Sequence, residues 1–183
     1  MDLKGMFQTF ARLFALLLAA AVLPAGALQA NGLAGFLADL EPAELAPGAD
    51  AFGPVSPETK VAPVLKGSET IAWAFLTSDF VGTTGYSGKP IHVVAGIDKD
   101  AVLTGVKLVE HSEPIVLIGI PNKKMVDLTE SYAGLDLKVE AETGGEGHDL
   151  DIISGATVTI MVIDDSLVRA GIKVSRLLGL GGL

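Results

Sequence analysis

Apolar and polar positions along the chain fall into runs of two periods. Between Glu69 and Leu76, Ile71, Trp73 and Phe75 alternate with Thr70, Ala72 and Ala74. A period of two predicts a strand with one buried face. Ile91–Ile97 is a second apolar run. In a third, over Ala101–Glu110, Val102, Thr104, Val106 and Leu108 alternate with Leu103, Gly105, Lys107 and Val109. The short Asp98-Lys99-Asp100 turn between these two runs reads as an antiparallel hairpin. Further on the period lengthens. Met125, Leu128 and Tyr132 share a face of a helix over Pro121–Tyr132, with Pro121 suited to its first turn and Gly134 to its end. Leu135–Ala141 alternates again and predicts a further strand. Ile160, Ile163, Leu167, Val174 and Leu178 recur at helical spacing and predict a helix of about Val158–Leu178. Its β-branched start leaves a strand through Val162 as the alternative.

Nearer the start, Leu33, Phe36, Leu37 and Leu40 fit one face of a short helix within Gly32–Leu40. The prolines and glycines that follow, from Pro42 to Pro63, read as an irregular arm laid over the domain. The sum is an α+β fold, a twisted antiparallel sheet with helices packed on it.

The first 30 residues follow a different rule. Lys4 and Arg12 accompany an apolar run, Leu13 to Leu23, and Ala25-Gly26-Ala27 offers a small-x-small cleavage site. This is the pattern of an export signal. The run is shorter than the roughly 20 apolar residues of a spanning helix. Export to the periplasm is therefore expected, with an uncleaved membrane anchor as the alternative. No later stretch is long enough to span a bilayer; Ile115 to Ile120 ends at Pro121. The expected division is a signal peptide at 1–30, an N-terminal helix and irregular arm at 31–66, and the main domain at 67–183.

Composition narrows the classes. A chain of 183 residues with 49% hydrophobic content holds a real core and, as a prior, one domain beyond the signal. A net charge of −9 opposes a nucleic-acid partner. With no cysteine, the chain builds no disulfide, no Cys-ligated zinc site and no iron–sulfur cluster.

Candidate chemistry concentrates in Asp151-Ile152-Ile153-Ser154-Gly155-Ala156-Thr157-Val158-Thr159, between the glycine-rich Thr143–His148 loop and the last helix. Hydroxyl residues and a glycine at a helix start leave first-turn N–H groups free, and the helix dipole favours an anion there. The plainer reading is an ordinary helix cap. The three histidines, with Glu113 and Asp149, are too scattered for a metal motif. Ser154-Gly155 lacks a Gly-x-Ser-x-Gly nucleophile elbow, and no Gly-x-Gly-x-x-Gly occurs.

Asp151-x-x-Ser154-Gly155-Ala156-Thr157 resembles the acceptor motif of the FMN-binding domains in NosR/NirI-type regulators and in the C and G subunits of the Nqr and Rnf redox complexes. Gly85-Tyr86-Ser87-Gly88-Lys89-Pro90-Ile91, Val94-Ala95-Gly96-Ile97-Asp98 and Glu110-His111-Ser112-Glu113-Pro114-Ile115 are similar in type and order, closest to the NosR branch. The likeness covers roughly residues 65–180. It implies that 67–183 is an FMN-binding domain whose FMN phosphate is esterified to Thr157 by an ApbE-type flavin transferase. It further implies a cofactor site of Thr157, Ser154, Gly155, Ala156, Asp151, Tyr86, His111 and Glu113.

Within that site Ser154 is expected to cap the turn, and Asp151 to hold the loop or help bind the transferase's metal. Thr159 is the competing hydroxyl. The flavin ring is expected over the Gly85–Pro90 and His111–Pro114 loops, with Tyr86 packed on it or else pinning Gly85 and Gly88. His111 and Glu113 are alternatively strand-end residues in water. Trp73 is expected in the core rather than on the flavin, His92 in a structural role and His148 in solvent.

The resemblance implies a periplasmic electron-transfer flavoprotein domain, a redox carrier rather than a stand-alone enzyme. Through NosR it is tied to nitrous-oxide reductase maturation or electron supply. The alternative is a periplasmic sensory or scaffolding module in which flavin is absent or only structural. NosR relatives continue into transmembrane helices and cysteine-rich clusters. The chain therefore reads as a truncated domain or a short stand-alone version, membrane-associated only through an uncleaved signal or a missing C-terminal region.

Overall fold

A computed structural model describes residues 32–150 and 152–183; the signal peptide expected at 1–30 lies outside them. The strands are β1 (Ala51–Phe52), β2 (Val61–Lys66), β3 (Glu69–Leu76), β4 (His92–Ile97) and β5 (Leu103–Glu110). They form one five-stranded sheet in sequence order, each antiparallel to the next. The helices are α1 (Leu33–Leu37), α2 (Pro42–Leu45), α3 (Pro114–Ile118), α4 (Asn122–Ser131), α5 (Leu137–Thr143) and α6 (Thr157–Leu178). This is the expected α+β class, with β3 and α4 close to where the apolar pattern puts them.

Both faces of the sheet are covered, where the alternation of β3 suggested one. On one face Phe75, Val93, Ala95, Ile97 and Val106 pack under Met125, Leu128, Leu137, Ile160, Ile163 and Leu167 of α4, α5 and α6. On the other, Ala62, Val64, Ala72, Ala74 and Val94 pack under Leu33, Leu37 and Leu45 of α1 and α2. The small side chains Ala72 and Ala74 looked like a solvent face because nothing in their chemistry resists water. They are small because a helix lies close above them.

How close is clear at α2. Gly96 and Gly105 are cross-strand partners. A Cβ on either would overlap the backbone of Glu44–Leu45. The Thr104 hydroxyl donates to the Leu45 carbonyl at 2.5 Å, and Lys107 Nζ pairs with Glu44 at 3.0 Å. The segment expected as an irregular arm thus supplies two strands and the helix α2 that lies against the sheet. Residue 66 ends β2, at the turn of the β2–β3 hairpin, and the described residues on either side of it share one compact unit.

The strand expected over Leu135–Ala141 is the helix α5. Asp136 caps it, accepting from the Lys138 N–H at 2.9 Å. Leu137 and Glu140, three apart, are both buried. Helical spacing therefore governs this segment, and the alternation that suggested a strand is incidental. Helix α6 is continuous from Thr157, which rules out the strand alternative at its start. Among the described residues no helix is long and apolar enough to cross a membrane.

Candidate functional site

The start of α6 is built by a tight turn. The Ala156 N–H donates to the Ile153 carbonyl at 3.0 Å, and Gly155 between them takes φ +89°. An L side chain there would be strained, so glycine is the residue the turn admits. Ala156 is the N-cap, and no side chain of that residue caps the helix. Ser154 is exposed and lies two positions before the N-cap, so it is not the helix cap. The first helical bond runs from Ile160 N–H to the Ala156 carbonyl at 3.0 Å. The N–H groups of Thr157, Val158 and Thr159 therefore lack intrahelical acceptors, as first-turn donors do. Asp151 lies outside the described residues.

These residues form one wall of a groove of about 440 Å³. Gly155, Ala156, Thr157, Val158 and Thr159 face Tyr86 and the Pro114, Ile115 and Ile118 side chains of α3. Among the described residues no charged side chain lines it. Tyr86 is 78% exposed and Ile118 is 90% exposed, large apolar surface that a partner or ligand would cover. A groove of this size suits a cofactor-sized molecule. Its first-turn donors suit an anionic end and its apolar walls suit a flat ring.

The two hydroxyls at the helix start differ. Thr157 is exposed. Thr159 is 2% exposed, and its hydroxyl donates to Glu113 Oε2 at 2.7 Å. Glu113 is fully buried and accepts two further bonds at 3.0 Å, from the Tyr86 N–H to Oε2 and the Ser87 N–H to Oε1. Burial raises its pKa, but hydrogen bonds from Thr159, Ser87 and Tyr86 outweigh that and hold it below the ordinary glutamate value. Glu113 is thus neither a strand-end residue in water nor part of the groove's lining. It sits behind the wall and ties its parts together.

Of the residues expected at the site, Thr157, Gly155, Ala156 and Tyr86 line the groove together. His111, at the end of β5, is half-buried; its Nδ1 accepts from the Glu113 N–H at 3.3 Å, and it does not line the groove. Trp73 packs on the helix-covered core face. His92 has the structural role expected of it, 2.7 Å from the Ser78 hydroxyl. His148 is not in solvent. Its Nε2 lies 2.9 Å from Asp164 and its Nδ1 lies 3.1 Å from the buried Glu140. The Tyr132 hydroxyl also donates to Asp164, and burial, with that carboxylate beside it, pushes the Tyr132 pKa well up. This cluster anchors the chain between α5 and the Ile153–Ala156 turn.

Of the wall from α3, Pro114 falls in the loop expected to border the ring, while Ile115 and Ile118 were missed. The helix's signal was present: Glu113-Pro114 places a proline where a helix begins. The apolar run after it reads as a buried strand as readily as an exposed helix.

The family model for the FMN-binding domain matches residues 85–171, which contain every described residue of the groove. Regulatory protein NosR of Stutzerimonas stutzeri is 34% identical over 183 residues, covering 98% of this chain and 25% of that protein. Protein NirI of Paracoccus denitrificans is 36% identical over 107 residues, 58% of this chain and 15% of its own. The G subunit of the ion-translocating oxidoreductase complex of Salmonella typhi is 28% identical over 97 residues, 51% of this chain and 47% of its own. The chain spans a quarter or less of the length of the NosR and NirI relatives.

Proposed function

Since the chain belongs to the FMN-binding domain family, we propose that it is an exported redox carrier whose FMN is esterified through its phosphate to Thr157. The observation that carries this reading is the contrast between the two threonines. Thr157 is an exposed residue on the groove wall, while Thr159 is buried and its hydroxyl already donates to Glu113.

In attachment, Thr157 Oγ1 attacks the flavin-bearing phosphorus of an activated flavin nucleotide presented by a flavin transferase. The new P–O ester forms, the bond to the donor's leaving group breaks, and the hydroxyl proton passes to a base of the transferase. Gly155 and Ala156 keep the approach to that hydroxyl free of bulky side chains. The first-turn N–H groups then face an anion, an arrangement worth about 0.3–1 kcal/mol in exposed settings. Bound FMN supplies reversible electron transfer. Tyr86, Ile115 and Ile118 would hold the ring and keep water from it. The tether matters most outside the cytoplasm, where a dissociated cofactor is lost by dilution.

The relatives point to the setting. A relative in an ion-translocating oxidoreductase complex favours electron transfer. Similarity to NosR favours a part in nitrous-oxide reductase maturation or electron supply, in the periplasm, with a flavin transferase as an obligatory partner. The test is the intact mass of protein exported from cells that hold the transferase. Wild type should carry one added FMN, and Thr157→Val should carry none. An adduct retained on Thr157→Val would refute the assignment. NosR is by name a regulatory protein, which favours a second reading as a sensory or scaffolding module. A colourless wild-type protein from the same cells would select it.

A further inference from the structure

We propose that Glu113 is the positioning residue of this groove: its buried carboxylate buckles the Gly85–Ser87 loop to the start of α6 and so sets the gap between the Tyr86 wall and the Thr157 wall. The consequence for flavin rests on the FMN reading above; the buckle itself does not.

The loop's own bonds close it on itself. Gly85 N–H donates to the Lys89 carbonyl and Gly88 N–H to the Gly85 carbonyl, both at 3.0 Å. What ties this small closed loop to α6 is Glu113. One carboxylate receives main-chain N–H groups from Tyr86 and Ser87 and the side-chain hydroxyl of Thr159. Two parts of the site far apart in the chain thus share one acceptor.

The fit is close. A Cβ at Gly85 would overlap the Glu113 carboxylate, so the loop backbone rests directly against it. Tyr86 makes its contact through its N–H while its side chain stands 78% exposed. The backbone of Tyr86, from which its exposed ring projects, is therefore anchored by this bond. Glu113 also engages the Thr159 hydroxyl, which leaves Thr157 as the accessible acceptor. A buried carboxylate is costly unless its lone pairs are met. Here the donors that meet them are the two walls of the groove.

The experiment compares wild type, Glu113→Gln and Thr159→Val, each expressed with the flavin transferase. Gln replaces one acceptor oxygen with an NH₂ group that confronts an N–H donor. Three measurements are read: thermal melting with far-UV dichroism for the fold, hydrogen exchange at the Tyr86 and Ser87 amides, and visible circular dichroism per bound flavin. In folded Glu113→Gln those amides should exchange about tenfold faster than in wild type. The flavin dichroism, which the two walls impose on the ring, should fall by about half or more. Thr159→Val cuts only the link to α6 and should raise exchange at the same amides by about threefold.

Unchanged exchange at both amides in a folded Glu113→Gln would overturn the proposal, as would loosened amides with unaltered flavin dichroism. Should Glu113→Gln fail to fold, Thr159→Val decides alone by the same readouts. A wild type without flavin would refute the FMN reading instead, and amide exchange in the flavin-free proteins would still decide the buckle.

Discussion

Thr157 and Thr159 stand two residues apart on one helix, yet Thr157 is exposed while Thr159 is buried and donates to Glu113. The difference comes from Glu113, 46 positions from Thr159, and a contact of that range leaves no mark on local pattern. Its charge state has a measurable consequence. The folded value of Glu113 lies below the ordinary glutamate value of 4.5. The folded state therefore binds this proton less readily than the unfolded chain, and stability rises with pH across that interval. The stabilisation is fully present above about pH 4.5 and is lost as pH falls through the folded value. Urea denaturation of wild type and Glu113→Gln at a series of pH values should show a gap that is constant near neutrality and shrinks only on acidification. A gap independent of pH down to strong acid would mean that the carboxylate's charge contributes nothing. At this scale the acceptor motif was legible as a string of residues, and its resemblance to a family carried most of the meaning. The burial of Glu113 and the pairing of His148 were not legible, because each depends on partners brought together by tertiary contacts.

At the scale of elements, periodicity read best where one side of an element faces water. The apolar faces of α4 and α6 fell where the pattern put them, whereas β3 buries Ala72 and Ala74 as well as Phe75. Periodicity failed where local chemistry competed. The Asp136 cap turned an alternating run into α5, and prolines hid β1 and β2 within an apparent arm. The covered second face was signalled by small residues rather than large ones. Gly96 and Gly105 are the sharpest of these, since α2 lies against them. Gly105→Ala pushes a methyl group into the Glu44–Leu45 backbone, a conflict that backbone cannot relieve by changing rotamer. Overpacking of this kind costs about 1–3 kcal/mol. Gly82→Ala is the matched control, because a Cβ there meets nothing within 4 Å. It should stay within about 0.5 kcal/mol of wild type. Chemical denaturation of the two variants separates them, and equal stability would mean that α2 does not press on the sheet.

For the whole molecule, a cofactor tether and a binding groove are separable properties, and their sum predicts a change in stability. On the proposed attachment, a bond to Thr157 alone would hold FMN near the protein without altering the fold. If the groove also grips the ring, the tethered flavin acts as a ligand present at an effective concentration in the millimolar range. Such a ligand stabilises the native state by the logarithm of that concentration over its intrinsic dissociation constant, about 2.7 kcal/mol at a hundredfold ratio. A domain of this size gains roughly 2–4 °C in melting temperature per kcal/mol. The flavin-bearing protein should therefore melt about 5–10 °C above the flavin-free protein from cells without the transferase. Replacing the exposed Ile118 with Ser should remove much of that gain while leaving the flavin-free melting temperature nearly unchanged, because its side chain supports no core. Equal melting temperatures with and without attached flavin would mean that the ring swings free of the Tyr86 and Ile118 walls. The groove would then have to be assigned to some other occupant.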